Sequence, residues 1–244
     1  MIEKAYSALS TVYENLICDD DYLAWAEMVV ETIKNNANGT IGLDLACGSG
    51  YFTRALKRAG FKVTGVDVSP EMLTVAKQKC QQEGLNVEFL CQDVKKLKSF
   101  QKVDFVTIIN DGVNYLSAKD LEKALKAIKS ALKPNGLLFF DFSTEYKLRH
   151  VLGNNLFGED REDVTYLWFN TLNDDSVKMD LSFFFKDGDK YIKREETHLQ
   201  YIHTLTDILN LLEKLGYKSV IAQKHMGGEI KNDTQRIQIL AKRV

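Results

Sequence analysis

Ile41-Gly-Leu-Asp-Leu-Ala-Cys-Gly-Ser-Gly-Tyr-Phe-Thr53 is the stretch that decides the fold of this 244-residue chain. Ile41, Leu43 and Leu45 read as a short apolar strand, Gly48 and Gly50 break it, and Phe52, Leu56 and Ala59 recur beyond at helical spacing. Glycines between a strand and a helix let backbone N–H groups approach a ligand closely and aim a helix N-terminus at it. The stretch predicts a cofactor cradle at the opening of an α/β unit.

The following segments repeat the strand-then-helix order. Lys62-Val-Thr-Gly-Val-Asp-Val68 is a strand with Asp67 near its C-terminal end, and Ser69-Pro-Glu71 opens a helix with an N-cap serine and a proline at the first helical position. Val87 to Gln92 is a strand leading into Asp93, and Val103 to Asn110 is another, followed by Asp111-Gly112. Ser117-x-x-Asp120 caps a helix with Leu121, Leu125, Ile128 and Leu132 on one face. Lys133-Pro-Asn-Gly136 predicts a turn, and Leu137 to Phe142 a strand apolar throughout, as one covered on both faces should be. Strands alternating with helices imply a parallel sheet with right-handed crossovers. Gly48, Gly50, Asp67, Asp93, Asn110 and Asp111 all fall at the C-terminal ends of strands, the edge where open α/β sheets bind ligands.

The period changes on both sides of this core. Residues 1–37 predict two helices broken at Asp19-Asp20-Asp21, and Tyr6, Tyr13, Tyr22 and Trp25 are aromatics that anchor them or, Tyr13 first, line a ligand site. Residues 146–200 predict an antiparallel meander of about three strands. One face of its last run carries Tyr191, Lys193, Glu195, Thr197, Leu199 and Tyr201. Thr204-x-x-Asp207 then caps a helix, and two closing strands follow at Tyr217–Gln223 and Gln235–Leu240.

Composition weighs against several classes. The formal net charge of −2, with basic residues scattered among acids, speaks against nucleic acid as a partner. The N-terminus shows no basic segment followed by an apolar one, and no apolar run approaches a membrane span, so a cytoplasmic protein is expected. The four cysteines form no C-x-x-C pair and read as reduced thiols. His150, His198, His203 and His225 have no metal-ligand spacing, so no metal is expected. His203 reads as a surface or satisfied core histidine.

Gly48-x-Gly50-x-x-Thr53 lacks the third small residue of a dinucleotide loop, which weighs against a nicotinamide oxidoreductase. Asp67 is placed to accept hydrogen bonds from both hydroxyls of a ribose, and Asp93 to meet an adenine amino group. The ordered motifs Asp44-Leu-Ala-Cys-Gly-Ser-Gly50, Gly65-Val-Asp-Val-Ser-Pro-Glu-Met-Leu73, Cys91-Gln-Asp-Val94 and Leu132-Lys-Pro-Asn-Gly-Leu-Leu-Phe-Phe-Asp141 resemble those of class I S-adenosylmethionine-dependent methyltransferases. The resemblance runs from about Tyr13 to the C-terminus. Ala46 departs from the pattern, standing where the family often has glycine.

The resemblance implies a Rossmann-like, seven-stranded, mostly parallel sheet with helices on both faces, plus the small antiparallel insertion. It divides the chain into N-terminal cap helices (1–37), a cofactor-binding domain (38–145 and 201–244) and a lid or substrate subdomain (146–200). It places Ala46, Cys47, Gly48 and Gly50 around the methionine part of S-adenosylmethionine, with Asp44 holding the loop or the cofactor amine. Asp67 would take the ribose, Val68 and Met72 would pack near the adenine, and Gln92, Asp93 and Val94 would lie at its edge. Asn110 and Asp111 would border the point of methyl transfer.

A small-molecule methyl acceptor is expected, methylated on N or O by in-line displacement, in a monomer or homodimer. Asp111, Tyr115 and Tyr13 are the candidate catalytic groups. Aminosugar N,N-dimethyltransferases use a tyrosine from the N-terminal helix, which Tyr13 matches, and a histidine after the fourth strand, where Tyr115 stands instead. The Asn-Pro-Pro-Tyr motif of base methylation is absent, Asn110-Asp-Gly-Val113 standing in its place. The competing readings are an RNA or protein methyltransferase and a non-catalytic S-adenosylmethionine-binding subunit.

Overall fold

A computed structural model describes Tyr6, Glu14 and residues 20–98 and 101–244. Tyr13, Cys18 and most of the first expected helix lie outside the described residues. The second expected helix is α1, Asp20–Asn36, which buries Trp25, Ala26, Val29 and Ile33 on one stripe. The core then runs β1 (Ile41–Leu45), α2 (Tyr51–Arg58), β2 (Lys62–Asp67), α3 (Pro70–Gln82), β3 (Glu88–Cys91), β4 (Val103–Ile108), α4 (Ala118–Ala131) and β5 (Leu132–Ser143). After an interruption it closes with α5 (Leu205–Lys214), β10 (Tyr217–Lys224) and β11 (Arg236–Arg243).

These strands form one seven-stranded sheet in the order β10-β11-β5-β4-β1-β2-β3. The pairs among β1 to β5 are parallel, and β11 enters antiparallel to β5. The strand order reverses between β1 and β4, so the loops after these two strands diverge and leave a crevice at the carboxyl edge. Helices pack on both faces. One face joins β1, β4 and β5 to α4 and α5 through Leu45, Val106, Leu125, Ile128, Phe140 and Leu212, and the other packs Trp25, Ile33, Phe52 and Leu56 under Phe105 and Phe139.

The helix starts follow the local chemistry read from the sequence. The hydroxyls of Ser69, Ser117 and Thr204 accept the N–H groups of Met72, Asp120 and Asp207, each an N-cap contribution of about 1 kcal/mol. One boundary moves. Lys133-Pro-Asn-Gly136 is a bulge inside β5 and not a turn before it: Leu132 already pairs with Val103, and pairing resumes at Leu137 with Phe105.

The inserted meander has four strands, β6 (Leu156–Asp160), β7 (Val164–Leu172), β8 (Ser176–Asp187) and β9 (Lys190–Tyr201), paired antiparallel in sequence order. The expected three are β7, β8 and β9. The short β6 escapes the sequence pattern because it is five residues long and mostly exposed, so no alternation is imposed on it. The polar side chains of Glu196, His198 and Gln200 occupy the buried face of β9, while Leu199 on the opposite face is exposed. No helix among the described residues is long and apolar enough to cross a membrane.

Candidate functional site

The crevice at the carboxyl edge holds a cavity of about 330 Å³. Its floor is the loop after β1. Ala46, Gly48 and Gly50 all have positive φ (51°, 53° and 76°), so the chain winds through a left-handed path that presents its backbone to the cavity. Gly50 is the N-cap of α2 and is not part of the cavity wall. Ala46 pays a steric cost of about 1–2 kcal/mol that glycine avoids, the physical reason a glycine is usual at this position.

Asp67, at the end of β2, ties this loop down. Its Oδ2 accepts the Gly48 N–H at 2.8 Å and its Oδ1 accepts the Ser69 N–H at 2.9 Å. Burial raises its carboxyl above the ordinary range, and these hydrogen bonds pull the other way. Val68, next in the chain, is 69% exposed at the cavity wall, an apolar surface left for a ligand to cover.

After β3, Gln92, Asp93, Val94 and Lys95 line the same cavity. Asp93 Oδ1 caps the short 3₁₀ turn Val94–Lys96 by accepting the Lys95 N–H at 2.9 Å, and its Oδ2 lies 3.5 Å from Lys95 Nζ. Asp93 is thus both a cap and a wall residue. Met72 of α3 closes the side beside Gly48.

The rest of the cavity is largely aromatic. Tyr6, Tyr22, Tyr51, Phe52 and Tyr115 line it together with Ile109, Asn110 and Leu116. Tyr22 stands edge-on to both Trp25 and Tyr51. Tyr6 and Tyr22 are among the aromatics expected to anchor the N-terminal helices or line a ligand site, and both line the cavity. Sequence reading did not place Tyr51, Phe52, Ser49 or Lys95 there.

Asp44 and Asp111 are placed behind the cavity wall. The Asp44 carboxylate is 1% exposed and accepts hydrogen bonds from Thr53 Oγ1 at 2.5 Å and Thr107 Oγ1 at 2.7 Å, pinning β1 to α2 and β4. Burial pushes it up to about 6, with the two hydroxyls and the Asp67 charge modifying that effect. Through these bonds Asp44 fixes the strand and the helix that flank the loop.

Asp111 takes no part in the wall. Its carboxylate accepts from Ser143 Oγ at 2.8 Å and from Arg236 at 2.7 Å, and Lys147 Nζ is 3.8 Å away. Burial works to raise it, but the Arg236 and Lys147 charges hold it below the usual carboxylate range. A carboxylate so occupied is a poor base, and this corrects its expected place at the transfer point. Asn110 does line the cavity, at φ 68°, with Asp111 following at φ 62°. This strained pair is held by Asp141, whose two oxygens accept the Asn110 N–H at 2.6 Å and the Asp111 N–H at 3.1 Å. Arg236 bridges both carboxylates and lies over the Trp25 ring at 4.7 Å.

Cys47 lines the cavity, but burial, and then the charges of Asp44 and Asp67, push its thiol well above the ordinary range, so it stays protonated. His203 is buried and its Nε2 lies 2.9 Å from the Leu116 carbonyl, a satisfied core histidine. His198 is the histidine the sequence pattern undervalued. Its Nδ1 lies 3.0 Å from Tyr115 Oη and its Nε2 3.0 Å from Glu196 Oε2. The available signal was the period of two, which puts Glu196, His198 and Gln200 on one face.

The residues present fit an adenosyl cofactor with a charged amino-acid tail. Asp67 offers acceptor oxygens to a diol, exposed Val68 a flat apolar contact, and the left-handed loop its backbone groups to a compact polar end.

Comparison with known proteins agrees. Residues 43–136 match the family described as "Methyltransferase domain". The chain is 34% identical over 217 residues to YqeM of Bacillus subtilis (strain 168), whose name assigns it to the methyltransferases, covering 87% of this chain and 86% of that one. Among solved structures, an S-adenosylmethionine-dependent methyltransferase from Clostridium acetobutylicum ATCC 824 superposes with a TM-score of 0.89 at 35% identity, over 98% of both chains. CalS10, an amino pentose methyltransferase from Micromonospora echinaspora, shares the fold with a TM-score of 0.75 at 18% identity, over 100% of both chains. The glycine loop, the strand-end acids and the likenesses to YqeM and to the Clostridium acetobutylicum enzyme identify the chain as a member of the class I S-adenosylmethionine-dependent methyltransferases.

Proposed function

We propose that this methyltransferase modifies a nitrogen or oxygen atom of a small molecule that enters the cavity against Tyr6, Tyr22 and Tyr115. The cofactor would lie along the other wall. Asp67 would hold the ribose hydroxyls, Val68 and Met72 the adenine faces, and Gln92, Asp93 and Val94 its edge. Ala46, Cys47 and Gly48 would cradle the methionine part, with Asn110 beside the transferring group. When bound, S-adenosylmethionine supplies a methyl group on a cationic sulfur that leaves as a neutral thioether, so the protein's contribution is alignment and exclusion of water.

The observation that carries the small-molecule reading is the group of tyrosines, Tyr6, Tyr22, Tyr51 and Tyr115, in the cavity lining. These side chains give flat apolar faces with a polar tip, a lining that suits a compact ligand. The four-stranded sheet supplies none of the described residues that line the cavity; it backs onto Tyr115 through His198. We infer that it supports the acceptor wall from behind.

A screen of metabolite pools for S-adenosylhomocysteine release tests the proposal. Turnover confined to small acceptors is expected. Turnover only with bulk RNA or protein would favour the macromolecular reading, and tight cofactor binding without any turnover would favour a non-catalytic subunit.

A further inference from the structure

Two buried ionisable side chains on the inserted sheet lie outside the cavity lining. Glu196 and His198 are 1% and 3% exposed and sit two residues apart on the inward face of β9. Glu196 Oε2 lies 3.0 Å from His198 Nε2 and also accepts the Tyr6 N–H at 2.8 Å. His198 Nδ1 lies 3.0 Å from Tyr115 Oη, which lies 2.7 Å from Tyr6 Oη. The Tyr6 ring stands edge-on to the imidazole, 4.8 Å between centroids. Tyr115 and Tyr6 line the cavity, whereas His198 and Glu196 do not. A chain of hydrogen bonds therefore runs from the cavity wall to a buried carboxylate.

Packing alone does not require these groups. Apolar residues of similar volume would fill the same face without the desolvation cost of a buried carboxylate and imidazole. The order of the chain assigns its protons. A carboxylate only accepts, so Glu196 selects the imidazole tautomer with the proton on Nε2, which leaves Nδ1 to accept the Tyr115 O–H. Burial pushes the Tyr115 phenol up to about 12, so it holds its proton at neutral pH and cannot serve as a standing base. It can pass a proton on to a neighbour that accepts one.

We propose that Glu196, His198 and Tyr115 form a proton relay that draws the proton from the acceptor atom, so that the acceptor is an amine or hydroxyl that must lose a proton to be methylated. This rests on the small-molecule reading above. As the lone pair of the acceptor atom forms its new bond to carbon, its proton moves to Tyr115 Oη, and the Tyr115 proton moves to His198 Nδ1. The electron pair of the broken X–H bond stays on the acceptor atom. The product side holds an imidazolium facing the Glu196 carboxylate, which returns the proton to water when the product leaves. An ammonium acceptor gives up its proton by the same route before its lone pair is free. His198 and Glu196 act through Tyr115, as positioning residues.

The test has two arms. The first needs no acceptor. In protein labelled with ¹⁵N at histidine, with H198Q used to assign the signal, the His198 ring is expected to carry its proton on Nε2, toward Glu196. Y115F should shift its Nδ1 resonance toward that of an unbonded nitrogen. A ring protonated on Nδ1, or one indifferent to Y115F, overturns the relay.

The second arm compares S-adenosylhomocysteine release with 4-methylphenol against 4-nitrophenol, and with benzylamine against aniline, at pH 8. The first member of each pair carries a proton it must lose before it attacks; the second is already ionised or neutral. H198Q and E196Q should lower kcat on the first members by about 100-fold, the lower range for a general base, and on the second members by no more than about threefold. Equal losses on both members mean that His198 only supports the wall, and overturn the relay. S-adenosylhomocysteine affinity near the wild-type value confirms that each variant is folded. If the wild type turns over none of the four probes, the acceptor reading loses its support and the histidine signal alone decides the relay.

Discussion

The Asp67 carboxylate accepts the Gly48 N–H at 2.8 Å across 19 residues of sequence, fastening the end of β2 to the loop after β1. One side chain thus shapes the loop proposed to cradle the cofactor and itself lines the cavity. Asp67→Asn should weaken S-adenosylhomocysteine binding by about 10- to 100-fold, the loss of a charged hydrogen bond worth roughly 1.5–3 kcal/mol. Glu122→Ala, which removes only surface pairs with Lys126 and Lys214, should leave it unchanged. Calorimetric titration of both variants checks this, and equal affinities would remove Asp67 from the site.

Ala46 sits at φ 51° in the cavity lining. Two effects oppose each other in Ala46→Gly. Relief of the left-handed strain gives about 1–2 kcal/mol, and the freer unfolded chain takes back about 0.4–1. Strain wins, so the variant should be more stable by about 0.5–1 kcal/mol in urea unfolding. A less stable variant would show that the methyl group packs to more effect than the φ value costs.

Arg236 stands between the buried carboxylates of Asp111 and Asp141. Its loss leaves both without their main counter-charge, so Arg236→Gln should destabilise the fold by about 3–5 kcal/mol. Arg236→Lys should recover part of that, because the charge returns without the two-pronged geometry. Urea midpoints of the three proteins decide it, and a neutral Gln variant would contradict the description of this cluster.

Asp44 is raised by burial to about 6 from an ordinary value of 3.8. Between those values the folded protein binds more protons than the unfolded chain, so stability falls as pH rises through this window. Asp44→Asn lacks that titration. The stability difference between variant and wild type should therefore grow in favour of the variant from pH 4 to pH 6.5, by on the order of 2 kcal/mol. Parallel unfolding curves at several pH values measure it, and a constant difference would mean that Asp44 ionises freely.

The parallel core was legible because its strands are covered on both faces. That makes Leu137 to Phe142 a continuous apolar run and leaves glycines and acids to collect at the strand ends, where Asp67 and Asp93 stood out. The caps at Ser69, Ser117 and Thr204 were legible because they depend on residues three apart. What escaped depends on folding back. Arg236 meets Asp111 and Asp141 across 125 and 95 residues, and no local pattern announces a partner at that range. Asp111 looked catalytic from its place after β4, yet its partner arrives on the last strand. His198 looked unremarkable because its meaning lies in the phase of β9. Shifting the alternation by one residue moves Glu196 and His198 from the solvent to the wall behind Tyr115.

The most direct measurement is a crystal structure of the protein with S-adenosylhomocysteine. The ribose hydroxyls should lie within hydrogen-bond reach of Asp67, the adenine between Val68 and Met72 with its edge at Asp93 and Val94, and the sulfur facing the space beside Asn110 and Tyr115. Density for the ligand away from the loop after β1, or a sulfur turned from Tyr115, would contradict the account.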